Sequence, residues 1–260
     1  MLYVSGWLRC LVVLVQLHCA NEALAHGLSR DRTIRAIFAG NSYTYYDDIP
    51  WITWKLSSSV KQDKALEVKM ISPPGVTHEY HWRSGEVVAL LKQISWDFVV
   101  LQEQSVQSIE RPKLMRQYAE LFDSEIKRAS ASMVFLLTWP RQQRPENFGI
   151  ITNNYPDIAH DLKGIVAPVG IVWRIVLKEG PSLQLYHEDG SHPGPIGSYI
   201  AGCVLYSVFY GKSPAGLPRE LYSVAKDGRH VKIGKLNRSD SDLIDEIVWR
   251  IVQCFLPLKP

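Results

Sequence analysis

Five short apolar runs, each separated from the next by a stretch with helical spacing, constrain this chain more than any other feature. They are the first half of Thr33 to Thr44, Leu66 to Ser72, Asp97 to Leu101, Met133 to Thr138 and Ile165 to Ala167. Most have no internal polar residue, which is the pattern of a strand buried on both faces. Helical spacing marks Ile49 to Val60, with Pro50 in its first turn, then His78 to Ile94, Pro112 to Ala129, Val169 to Leu177 and Pro195 to Tyr210. Glu146 to Lys163 is expected to be helical only in part, interrupted at Pro156, and Ser239 to Leu256 to form a last helix on the body. Residues 211–235 show no regular pattern and are expected to form an irregular surface segment. Strands that alternate with helices require a parallel sheet covered on both faces and joined by right-handed crossovers. The expected fold is therefore α/β, a three-layer α/β/α sandwich of flavodoxin type on a five-stranded parallel sheet.

A chain of 260 residues suits one sizeable domain. Its net charge of +3, spread without a long basic run, argues against a nucleic-acid partner. Residues 1–25 stand apart. Arg9 precedes an apolar stretch from Cys10 to Ala20, and Ala23-Leu24-Ala25 has the small-x-small pattern of a signal-peptidase site. Cleavage after Ala25 is expected, leaving 26–260 as a single domain, secreted or periplasmic. The apolar run is too short for a span and is broken by Gln16 and His18, so no stable membrane insertion is expected. Cys203 and Cys254 lie in apolar helical patterns, and two buried thiols or a disulfide are equally open. With no Cys-x-x-Cys, His-Glu-x-x-His or acidic calcium loop, neither a metal nor a cofactor is expected.

Chemistry enters at Gly40-Asn41-Ser42, where the first apolar run stops. A serine just past the carboxyl end of a first strand lies at the edge where such sheets bind ligands. Its hydroxyl is a poor nucleophile until a base takes the proton and a third group orients that base. Asp189-Gly190-Ser191-His192-Pro193 supplies both types at a spacing of three on a loop. Ser42, Asp189 and His192 are thus the expected catalytic set. His78, His81 and His187 also fall near expected loops, with a bland surface or hydrogen-bonding role as the first expectation.

With this turn first and Asp-x-x-His near the end, the chain resembles the SGNH/GDSL hydrolase superfamily, with Asn41 where the commoner motif has Asp. More narrowly, it is similar to small secreted members that read Gly-Asn-Ser-Tyr-Thr, Leu-Gln-x-x-Ser, Ala-Pro-Val-Gly and Asp-Gly-x-His-Pro. The resemblance runs from about Ile34 to Pro214 and implies the same three-layer fold. It also implies an oxyanion hole from the amides of Ser42 and Gly75 plus a glutamine amide. Gln102 and Gln104 both stand in the third block, with Gln102 favoured. Asn41, Glu103 and Trp139 follow strand ends and are expected on the substrate side, together with Tyr43, Tyr45 and Arg141.

The implied activity is a serine hydrolase acting on esters, removing acetyl or another short acyl group from a carbohydrate or small ester. No lid-like apolar segment favours long-chain substrates. The competing class is a non-catalytic binding protein on the same scaffold, holding a sugar, or a phosphate or flavin through Asn41, Ser42 and Thr44. Such a cradle has no need of Asp189 and His192.

Overall fold

The structure, a computed structural model, describes residues 33–256, so the segment expected to be a removed signal lies outside it. Five strands form one parallel sheet in the order β2-β1-β3-β4-β5: β1 Thr33–Ala39, β2 Ala65–Ile71, β3 Phe98–Leu101, β4 Ser132–Leu136 and β5 Ile165–Ala167. Side chains alternate between its faces and supply two cores. Ala36, Phe38, Val100, Val134 and Leu136 point into one, while Ile37, Ala39, Val99, Leu101, Met133 and Phe135 point into the other. Helices cover both, giving the three layers expected from the alternation.

Helix α1 is the single turn Ser42–Tyr45, followed by α2 Ile49–Ser58, whose N-cap Asp48 accepts from the Trp51 amide. Helices α3 His78–Ser84 and α4 Glu86–Leu91 replace the one helix expected over His78 to Ile94. The break is Gly85, at φ +69°, a left-handed conformation that ends a helix readily at glycine. Then come α5 Gln107–Glu110, α6 Pro112–Arg128, α7 Phe148–Leu162 and α8 Val169–Glu179. Helix α7 runs through Pro156 without the expected interruption. Ile151, Tyr155, Ile158 and Ala159 bury one face of it, and that contact outweighs the missing amide donor.

Helix α9, Pro195–Tyr210, is buried continuously from Gly197 to Phe209 because α2, α8 and α10 (Arg238–Val252) surround it. The segment expected to be irregular contains instead an antiparallel hairpin, β6 Glu220–Val224 and β7 His230–Lys235, turning through Asp227-Gly228. It docks on the loop after α1. Asp47, buried, accepts from Ser198 Oγ at 2.9 Å and Ser223 Oγ at 2.8 Å, and Trp51 stacks on His230 at 3.8 Å. Cys203 is buried and Cys254 exposed, and both are free thiols.

Register fixes where the loops emerge. Ala39 is level with Ile71 on one side and Leu101 on the other. The residues that follow these three strands therefore meet at one edge of the sheet.

Candidate active site

Beyond Ala39 the chain must turn under a helical turn that starts three residues later. Glycine is needed at position 40 because a Cβ there would lie 2.2 Å from Thr44 Oγ1 and 2.9 Å from Gln102 Oε1. That closeness, rather than an unusual φ, is what glycine permits. Asn41 caps the turn by accepting from Tyr43 N at 3.2 Å, and its Nδ2 donates to Val76 O at 2.9 Å, tying the loop after β1 to the loop after β2. Gln102 Oε1 accepts from Asn41 N at 2.9 Å and from Thr44 Oγ1 at 3.0 Å. His81 adds a third tether, its Nε2 donating to Gly40 O at 2.8 Å. Burial pushes the His81 imidazole down to about 4, which keeps it neutral in that role.

Ser42 is left pointing away from these tethers. Its Oγ lies 2.8 Å from His192 Nε2, and His192 Nδ1 lies 2.6 Å from Asp189 Oδ2. With Nδ1 donating to the carboxylate, Nε2 is free to accept from the serine. Asp189 Oδ1 takes the backbone amides of Ser191 at 2.8 Å and His192 at 2.9 Å. Burial raises the Asp189 pKa, but the His192 ring and the two amides outweigh it and hold the carboxyl well below the usual range. The loop is pinned by His187 N donating to His192 O at 2.9 Å and by a bridge between Tyr186 and Pro193. The three residues expected to form the catalytic set thus stand in one hydrogen-bonded line.

Several expected substrate-side residues lie elsewhere. Trp139 is fully buried, stacked between Tyr43 at 4.9 Å and Trp173 at 3.9 Å, with its indole donating to Ser191 O at 3.1 Å. It supports the Asp189 to His192 loop from beneath and meets no solvent. Tyr43 is buried beside it, its hydroxyl 2.9 Å from Ser191 Oγ. Asn41 is buried by the contacts just described. Glu103 is buried too, accepting from His78 N at 3.1 Å and Gln104 N at 2.7 Å, with its other oxygen 3.3 Å from His78 Nδ1. Burial lowers the pKa of His78, opposed by the Glu103 carboxylate. Asn41, Glu103 and Trp139 are supports for the loops and not surfaces for a substrate, because the strand ends they follow are covered.

Of the two glutamines, Gln102 is buried under the Ser42 turn, and its amide donates to Glu103 O. Gln104 is turned to its own loop, donating to Ser105 Oγ at 3.3 Å and accepting from Val106 N at 2.9 Å. Neither the Ser42 nor the Gly75 amide hydrogen-bonds to another described residue. Of two neighbours of the line, His187 was expected near a loop in a bland role, and Tyr46 escaped the sequence reading. Tyr46 stacks on His192 at 4.6 Å, and His187 Nε2 lies 3.0 Å from the Tyr46 hydroxyl. A tyrosine one helical turn after Ser42 was the available signal. Among the described residues no group of three or more His, Cys, Asp or Glu side chains could hold a metal, and no helix is long and apolar enough to cross a membrane.

No family model matches this chain, and no curated protein does. Solved structures do. A protein from Slackia heliotrinireducens assigned to the SGNH hydrolases is 26% identical with a TM-score of 0.59, over 68% of this chain and 98% of that one. A DUF4886 family protein from Bacteroides uniformis superposes with a TM-score of 0.63 at 12% identity, over 85% of this chain and 95% of its own. The acetyl xylan esterase AlAXEase gives a TM-score of 0.54 at 16% identity, over 67% and 98%. The last two speak to the fold alone. A five-stranded sheet in this order, the serine turn after its first strand, the Asp-x-x-His loop just before α9 and the 26% identity with the Slackia heliotrinireducens protein together support the SGNH/GDSL hydrolase superfamily for this chain.

Proposed function

We propose that this chain is a serine ester hydrolase that removes a short acyl group, acetyl being the simplest, from a carbohydrate or other small ester. The observation that carries the reading is the unbroken line from Ser42 Oγ through His192 to Asp189 at 2.8 and 2.6 Å. In this reading Ser42 Oγ attacks the acyl carbon while His192 Nε2 takes its proton, and Asp189 holds the ring and stabilises the imidazolium. The unengaged amides of Ser42 and Gly75 supply the oxyanion donors, each worth on the order of a hundredfold in rate. His192 returns the proton to the departing alcohol. It then takes one from water, whose oxygen attacks the acyl-serine, and the carboxylic acid and free Ser42 result.

The phosphate or flavin reading, which rests on backbone amides, loses support because the amides of Asn41 and Thr44 are buried and already donate to Gln102 Oε1 and Asn41 O. Turnover of p-nitrophenyl acetate tests the esterase reading. Ser42→Ala and His192→Ala each abolish it, because both belong to one unit, and Asp189→Asn leaves an intermediate rate. Equal rates in all three variants and the wild type sink the proposal. We also propose that the protein is exported and that its mature form begins near His26, in keeping with Ala23-Leu24-Ala25. N-terminal sequencing checks this, and exported material that retains residues 11–20 contradicts it.

A further inference from the structure

We propose that Tyr46 and His187 are positioning residues of the Ser42 site, a second imidazole and a stacked phenol that tune His192 through the carboxylate it shares. The inference rests on the hydrolase reading above for its kinetic part only.

Three contacts motivate it. The Tyr46 ring lies nearly parallel to the His192 ring, 4.6 Å between centroids at 15°. Its hydroxyl lies 3.0 Å from His187 Nε2. His187 Nδ1 in turn faces Asp189 Oδ2 at 3.3 Å, the same oxygen that holds His192 Nδ1 at 2.6 Å. Tyr46, His187, Asp189 and His192 therefore form a closed ring of contacts, with Ser42 attached at one corner. A simple serine site needs none of this. One carboxylate and one backbone loop suffice to orient a histidine.

The chemistry follows from charge. When His192 accepts a proton from Ser42 it becomes a cation against the face of Tyr46, and an aromatic face attracts a cation. That attraction grows as the proton moves, so it lowers the barrier more than it strengthens substrate binding. His187 acts in the opposite sense. Neutral, it can accept the Asp189 amide at Nδ1, 3.4 Å away, and donate from Nε2 to Tyr46. Protonated, it donates from Nδ1 to Asp189 Oδ2 and takes part of the negative charge that His192 needs. The charged and titratable groups around His187 are Asp189 and His192 on its own loop, Tyr46 and Asp47 after α1, and Glu188 beside it. Asp47 is buried and hydrogen-bonded to two serines, so Asp189 is the carboxylate whose support shifts.

Two imidazoles thus share one carboxylate oxygen. The test records the His192 Nδ1 proton by NMR in the wild type, His187→Gln and Tyr46→Phe, with kcat and KM for p-nitrophenyl acetate measured on the same samples and on Tyr46→Leu. In His187→Gln that proton is expected further downfield than in the wild type, since the whole Asp189 charge then falls to one ring. Tyr46→Leu lowers kcat by up to about tenfold with KM little changed, the scale of one aromatic contact. Tyr46→Phe keeps most of kcat because the stack survives, so it also controls for folding. A His192 Nδ1 proton at the same position in wild type and His187→Gln overturns the role of His187. A kcat in Tyr46→Leu equal to that of Tyr46→Phe overturns the role of Tyr46. If the wild type turns over no ester while the proton moves as stated, the coupling stands and the hydrolase reading alone fails.

Discussion

At Gln102 a single side-chain oxygen receives two donors, the Asn41 amide and the Thr44 hydroxyl, both buried under the turn that presents Ser42. Removing that oxygen leaves two buried donors without a partner, and an orphaned buried group costs about 1–3 kcal/mol. Gln102→Leu is therefore expected to lower the unfolding free energy measured in urea by about that amount and to reduce ester turnover as the turn loosens. Gln104→Ala, whose side chain serves only its own loop, changes stability by less than about 1 kcal/mol. Equal losses in the two variants contradict this division. The same scale shows what was legible. The meeting of Ser42, Asp189 and His192 could be read because it depends on local spacing and chain order. Trp139, Glu103 and Asn41 were misread because a residue at a strand end is open or covered according to what packs above it. Here Tyr43, Trp173, His78 and Val76 do the covering, and their approach is not written in neighbouring sequence.

Among the elements, α10 carries an unusual group. Asp245 sits in the buried face of Arg238–Val252 with Oδ1 lacking a partner, and burial, with Asp242 one turn earlier adding to it, pushes its carboxyl up to about 7. The folded state then binds a proton that the unfolded state releases between pH about 4 and 7, so stability falls as pH rises through that window. Asp245→Asn keeps the shape without the charge. Its stability gain over wild type in urea is expected to be larger at pH 8 than at pH 5, by on the order of 2 kcal/mol. An equal gain at both values refutes it. Element boundaries show where sequence patterns mislead. Pro156 carries a helix-breaking signal, but four buried residues hold α7 against the sheet. The hairpin was missed because Val231 and Ile233 face outward and its partner surface is α2, distant in sequence. Asp227-Gly228 was its one local sign.

Across the whole molecule, the parallel five-stranded sheet and its two cores follow from the apolar runs, since a strand without polar residues has no choice but to be covered on both faces. What the runs could not convey is the register. Ala39, Ile71 and Leu101 end level, and only that alignment brings the Ser42 turn, the Gly75 loop and Gln102 together. The Asp189 to His192 loop then reaches the same edge because it precedes α9, which crosses the body as its most enclosed helix. If this edge makes Ser42 a nucleophile, treatment with a fluorophosphonate followed by peptide mapping shows it directly. A single adduct on Ser42 is expected in the wild type, with labelling strongly slowed in His192→Ala although that variant remains folded. An unlabelled Ser42, or equal labelling with and without His192, would contradict it.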